Sequence, residues 1–202
     1  MIKALIFDFG DVFINLDKDA MNSRLKDFDI HELPEALHAK NREYEQGFVT
    51  SDEISENYRT EFPNMASEDF VDSWNSILLD FPEYRLKFLQ KLAEEKDYLL
   101  ILLSNTNENH INYIQENVSF YEDFKNCFDA FYLSHELGMR KPNPEIFEHI
   151  LDTHELEPSE CLFIDDTREN TEVAQRLGFH TWNLEPTRED VIDLFTTKKE
   201  LF

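Results

Sequence analysis

The segment Lys3-Ala4-Leu5-Ile6-Phe7-Asp8-Phe9-Gly10-Asp11-Val12 decides the fold. Its apolar run is short and does not alternate with polar residues, the pattern of a strand buried on both faces. Asp8 stands where that strand should end, and a carboxylate there needs a reason. Further apolar runs lie near 98–103 (Tyr98-Leu99-Leu100-Ile101-Leu102-Leu103), 129–133, 161–164 and 180–184. Helical patterns separate them near 83–96, 107–117, 144–153 and 168–177, with Pro82 and Pro144 suited to first turns. Strands alternating with helices predict an α/β fold, a parallel sheet with helices on both faces. Gly47 and Gly178 follow helix-like stretches, the usual C-terminal signal, and Gly138 precedes a Pro-rich turn.

Residues 16–80 break the alternation, being polar and helical with no convincing strand. Thr50-Ser51-Asp52-Glu53 reads as a capping box. Ala66-Ser67-Glu68-Asp69 should open another helix, with Phe70, Trp74, Ile77 and Leu78 on one face. The expected organisation is a core of residues 1–15 and 81–202, with a helical cap of residues 16–80 inserted after the first strand.

Composition narrows the function. The chain of 202 residues is 41% hydrophobic with 18 Phe, enough for a real core. Against 19 basic residues stand 43 acidic ones, a formal net charge of −24. Such a surface repels phosphate backbones and anionic lipid, so neither nucleic acid nor membrane is an expected partner. No apolar stretch approaches the roughly 18 residues of a bilayer span. The N-terminal apolar run is short, with no small-residue cleavage site after it. Cys127 and Cys161 lack metal-ligand spacing and read as buried small hydrophobes. The cytoplasm is the expected location.

In open parallel sheets, ligands bind beyond the carboxyl ends of the strands. Each such end here is polar: Asp8-Phe9-Gly10-Asp11, Ser104-Asn105-Thr106-Asn107, Gly138-Met139-Arg140-Lys141-Pro142 after a short loop, and Asp165-Asp166-Thr167. Taken singly, Ser104 or Asp166 is an ordinary helix cap and Lys141 an ordinary surface lysine. Taken together, Asp8, Asp165 and Asp166 suit a hard oxygen-seeking cation such as Mg²⁺. Ser104 before a helix adds an anion site. Cation, carboxylates, hydroxyl and lysine form the apparatus of phosphoryl transfer.

These four segments, in this order, resemble the signatures of the haloacid dehalogenase superfamily, with Asn170 and Ala174 fitting the fourth. The resemblance covers essentially the whole chain and implies a Rossmann-like core plus the helical cap. Within the superfamily the second and third segments look most like bacterial phosphatases related to alpha-D-glucose-1-phosphate phosphatase. By that resemblance Asp8 is the nucleophile, forming an aspartyl-phosphate. Ser104, Asn105 and Lys141 bind the phosphate, and Ser104 and Lys141 also serve catalysis. Mg²⁺ is held by Asp8, Asp166 and the Gly10 carbonyl, with Asp165 acting through water. The implied activity is hydrolysis of a small phosphorylated metabolite, sugar phosphates among the expected substrates.

One position departs from the family pattern. Most phosphatases of the superfamily carry a general acid two residues after the nucleophile, where this chain has Gly10. Asp11 is the neighbouring candidate. A metal-free 2-haloacid dehalogenase and a non-catalytic phosphate-binding protein are the alternatives. Phe13, Asn15, Tyr44 and Trp74 are the candidate cap residues lining the substrate pocket.

Overall fold

The computed structural model describes all 202 residues. Five parallel strands form one sheet: β1 (Ala4–Phe7), β2 (Leu99–Ser104), β3 (Ala130–Leu133), β4 (Cys161–Asp165) and β5 (His180–Asn183), in the order β3-β2-β1-β4-β5. The predicted α/β class holds. β1 is central, with Phe7 opposite Leu102 of β2 and Ile164 of β4. Successive side chains face opposite ways along a strand, so an unbroken apolar run supplies two cores. Leu5, Phe7, Leu100, Leu102, Leu162 and Ile164 enter one buried cluster, and Ala4, Ile6, Ile101, Leu103, Cys161 and Phe163 another.

Helices cover both faces. The first cluster takes side chains from α5 (Glu83–Glu95), α6 (Glu108–Asn117) and α7 (Tyr121–Lys125). The second takes them from α9 (Pro144–His154) and α10 (Arg168–Arg176). Two short helices, α8 (Ser134–Leu137) and α11 (Leu194–Thr197), were not visible in the sequence pattern. Pro144 is the first residue of α9, whereas Pro82 occupies the cap position one residue before α5. Cys161 is buried, but Cys127 is partly exposed, at the loop end beyond α7.

Between β1 and α5 come four helices and no strand: α1 (Ala20–Leu25), α2 (Glu35–Glu45), α3 (Ser51–Glu61) and α4 (Ser67–Asn75). They bury their own cluster, with Tyr44, Tyr58, Phe70 and Trp74 in it. The Thr50/Glu53 capping box forms. At Ala66 only half of one does, because alanine has no hydroxyl; Asp69 accepts from the Ala66 amide at 3.2 Å. Helix α4 ends at Asn75, so Ile77 and Leu78 are not on its face as expected. They lie in the returning connection, which pairs with the outgoing one through Asn15 N to Asp80 O, Leu79 N to Asn15 O and Asp17 N to Ile77 O. The Arg85 guanidinium, 5% exposed, braces that junction by donating to Phe13 O and Asn15 Oδ1 and pairing with Asp190.

Phe124 is the centre of the aromatic packing beneath the sheet, its ring centroid 4.9–5.1 Å from those of Phe9, Phe13, Phe81 and Phe128. Phe124→Ala should therefore destabilise the fold by about 3–5 kcal/mol. A urea titration followed by far-ultraviolet circular dichroism measures this, and a shift below about 1 kcal/mol would show that the cluster collapses into the space.

Candidate active site

β1, β2 and β4 run in register, so their carboxyl ends lie side by side and deliver Asp8, Ser104, Asp165 and Asp166 to one edge. The loop after α8 adds Lys141. Its ammonium, 1% exposed, donates to Asp8 Oδ1 at 2.7 Å, Asp165 Oδ2 at 2.6 Å and Leu103 O at 2.7 Å. All three N–H bonds are thus used, as a buried ammonium requires. Asn105 holds the lysine's own backbone, accepting from Lys141 N at 2.9 Å and donating to Lys141 O at 2.8 Å.

Asp165 is fully buried and also accepts from Thr167 N and from Asn170 Nδ2. Both of its oxygens are engaged by the protein. Asp166 does not cap α10, where Thr167 holds the cap position. Its carboxylate pairs instead with Lys18, whose ammonium also reaches Asp11 Oδ2 at 3.0 Å. One carboxylate oxygen from each of Asp8, Asp165 and Asp166 falls within 4.8 Å of the others.

Burial, opposed by the pull of the Lys141 ammonium and aided by the charges of Asp165 and Asp166, pushes the Asp8 carboxyl up to about 7. Burial likewise raises Asp166, opposed by Lys18. For Lys141 burial acts downward, but Asp165 and Asp8 outweigh it and the net shift is upward. Lys18 behaves the same way through Asp166 and Asp11.

These groups open onto a cavity of about 320 Å³ that Asp8, Gly10, Ser104, Asn105, Lys141 and Asp166 all line. The expected pocket residues from the helical insert do not. Phe13 is wholly buried in the aromatic core, Trp74 Nε1 donates to Asn107 Oδ1, Tyr44 accepts from the Asn109 amide, and Asn15 bridges Asp80 and Arg85. The insert and its connections contribute Leu16, Lys18, Glu45, Ile77 and Leu78 instead. Ile77 and Leu78 were expected on a helix face, and no sequence signal marked Leu16, Lys18 or Glu45, because the cavity lies at a seam between segments distant in sequence. His110 also lines it. Its Nε2 lies 3.1 Å from Trp74 O and its Nδ1 3.1 Å from Asn107 Nδ2, the partners of a neutral ring protonated at Nε2. Burial pushes that imidazole down to about 4, against the Trp74 carbonyl.

The glycine at position 10 has a local cause. A Cβ there would stand 2.7 Å from Leu16 Cδ1. Leu16 thus fills the space beside the nucleophile candidate. The Asp11 carboxylate accepts from the Leu16 amide at 2.9 Å and pairs with Lys18, and it does not line the cavity.

A sequence profile of haloacid dehalogenase-like hydrolases matches residues 2–178. The chain belongs to that family. A D-ribitol-5-phosphate phosphatase of Bacteroides thetaiotaomicron is 28% identical over 197 residues, spanning 92% of this chain and 93% of the relative. A haloacid dehalogenase family enzyme of the same bacterium, solved as a magnesium complex, superposes with a TM-score of 0.85 at 36% identity, covering 96% of this chain and 98% of that one. Its complex with magnesium and inorganic phosphate superposes at 0.82 with 34% identity, over 96% and 100% of the two chains. No helix of this family member is long and apolar enough to cross a membrane.

Removing Lys141 strands two buried carboxylates. Lys141→Met should cost about 3–5 kcal/mol at pH 7. The deficit should shrink at pH 5 as the stranded carboxylates take up protons, since their uncompensated burial raises their pKa. Urea midpoints in EDTA at both pH values check this, and an equal loss at each would rule out the carboxylates as its cause.

Proposed function

We propose that this chain is a magnesium-dependent phosphomonoesterase acting on a small phosphorylated metabolite, with residues 16–80 closing over the site as a cap. The observation that carries the reading is the Lys141 ammonium held between Asp8 and Asp165 at the floor of a small-molecule-sized cavity. The relatives support it: one is a sugar-alcohol phosphate phosphatase, and the other binds magnesium and phosphate. Kinship with alpha-D-glucose-1-phosphate phosphatase in particular is part of the proposal only.

The donor set fits Mg²⁺. It is all oxygen, and the carboxylates of Asp8, Asp11, Asp165 and Asp166 against the ammoniums of Lys18 and Lys141 leave two negative charges over. Asp8, Asp166 and the Gly10 carbonyl would hold the ion, while Asp165, buried with both oxygens engaged, would act on it through charge. Bound there, it would neutralise phosphoryl charge that otherwise repels a carboxylate nucleophile.

Asp8 uses Oδ1 on Lys141, so Oδ2 is its free nucleophile. Attack on phosphorus forms an aspartyl-phosphate and breaks the ester P–O bond, releasing the alcohol once its oxygen takes a proton from water. Water then hydrolyses the acyl phosphate, returning phosphate and the Asp8 carboxylate. Ser104 Oγ would bind a phosphoryl oxygen, and the Lys141 ammonium, held to Asp8 and Asp165, would offset phosphoryl charge, while Asn105 fixes the Lys141 backbone. Asp165, bonded to Lys141 and Asn170, keeps the ammonium in place. A metal-free dehalogenase has no use for the Asp8–Asp165–Asp166 cluster, and a mere phosphate binder none for a nucleophile braced by a lysine.

Two measurements test this reading. Asp8→Asn keeps the shape but removes the nucleophile, so turnover of ribitol 5-phosphate should fall by at least about a thousandfold with the melting curve intact. A variant that retained the wild-type rate would eliminate the covalent step. Chelation by EDTA should abolish wild-type turnover and Mg²⁺ restore it. Full activity in chelator would remove the metal from the proposal.

A further inference from the structure

The polar lining of the cavity divides by what each side chain already does. Asn105 gives both ends of its amide to the Lys141 backbone. Asn107 accepts from Trp74 Nε1 and the His110 amide, and His110 has a partner at each ring nitrogen. These groups hold the walls and have little left for a ligand. Arg140 and Glu45 differ. Arg140 Nε and Nη2 both donate to a single oxygen, Glu45 Oε2, at 3.0 and 2.8 Å. Glu45 Oε1 and Arg140 Nη1 are left without protein partners, and both residues line the cavity with side chains 29% and 22% exposed.

The pair is also well placed. Arg140 directly precedes Lys141, and both line the cavity. Glu45 closes α2 of the insert, and its carbonyl accepts from Ser134 Oγ, which docks this end of the helix onto the core. Gly47 presses against the core two residues later, where a Cβ would fall 2.0 Å from His135 O. Of the other wall residues from the insert's connections, Leu16, Ile77 and Leu78 are apolar and Lys18 is committed to Asp11 and Asp166.

We propose that the Glu45–Arg140 pair reads hydroxyl groups of the leaving alcohol, so that the preferred substrate is the phosphate monoester of a neutral, polyhydroxylated alcohol. This rests on the phosphomonoesterase reading and adds its leaving-group class. A hydroxyl both donates and accepts, so neighbouring hydroxyls match an open carboxylate oxygen beside an open guanidinium arm. A hydrocarbon chain would strip water from both charges and return no hydrogen bond. An anionic leaving group would gain Arg140 but meet the Glu45 carboxylate.

The test compares kcat/KM for ribitol 5-phosphate, pentyl phosphate and 6-phosphogluconate. The first two share chain length and differ in hydroxyls; the third adds a carboxylate. Wild type should favour ribitol 5-phosphate over pentyl phosphate by at least about tenfold. Glu45→Leu combined with Arg140→Met leaves no orphaned charge and should cut that ratio by at least about tenfold. The isosteric Glu45→Gln, which keeps the contact while weakening the acceptor, should lower it several-fold and serves if the double variant fails to fold. A structural role alone would slow both esters equally, and an unchanged ratio would overturn the inference. So would a preference for 6-phosphogluconate that grows in Glu45→Gln, which would give Arg140 to an anion. Wild-type protein inert on all three esters would instead defeat the phosphatase reading, and this inference with it.

Discussion

A single buried ammonium organises the functional end of this protein. Lys141 is nearly inaccessible, and a charge in that position is tolerable only if every N–H finds an acceptor and opposite charge stands close. Asp8 from the end of β1, Asp165 from the end of β4 and the Leu103 carbonyl of β2 meet that demand together. The contact joins three strands to a loop that would otherwise have no reason to lie across them. Asn105 repeats the connection at backbone level, clasping both the N–H and C=O of the same residue. The lysine also lowers the cost of setting Asp8 and Asp165 side by side, which their mutual repulsion and burial would otherwise prevent.

The second constraint is the seam between the sheet and the helical segment. Its contacts are of several kinds. Leu16 and Leu78 pair across the two connections, Ser134 Oγ donates to Glu45 O, Arg140 pairs with Glu45, and Ser51 donates to Glu108. Few of these are apolar, whereas the segment's own core of Tyr44, Tyr58, Phe70 and Trp74 is almost wholly so. Polar contacts exchange readily with water and contribute modestly to net stability, so such a seam suits opening and closing better than a continuous core would. Leu16 has a further consequence, because its side chain occupies the space beside residue 10, and any larger residue there would have to displace the leucine's terminal methyl.

The net charge of −24 acquires a local meaning beside these contacts. Lysines are few, and two of them are spent on the same acidic edge, Lys18 on Asp11 and Asp166 and Lys141 on Asp8 and Asp165. Even so the edge stays acidic, which favours a divalent cation and disfavours an unaccompanied phosphate. Attraction for an anionic substrate has to be made locally, at the carboxyl ends of the strands, since the surface as a whole works against it.

The sequence by itself determined the sheet and its polar edge. A strand buried on both faces demands an unbroken apolar run, and the residue that ends such a run must face the sheet's edge, so Asp8, Ser104 and Asp165 were legible from short-range pattern alone. Helix α3 was equally legible, because a capping box is a local bond between residues three apart. What only the tertiary structure decided were contacts between segments far apart in the chain. Phe13 and Trp74 turned into cores and away from the cavity, since a large aromatic reads the same in sequence whichever apolar space receives it. Asp11 turned to the linker because its φ of +54° and the Leu16 amide took it there. The partners of Lys18, Glu45 and Arg140 were equally hidden. Charge pairs carry no periodicity, and a lysine between two aspartates gives no sign of which distant carboxylate it will meet.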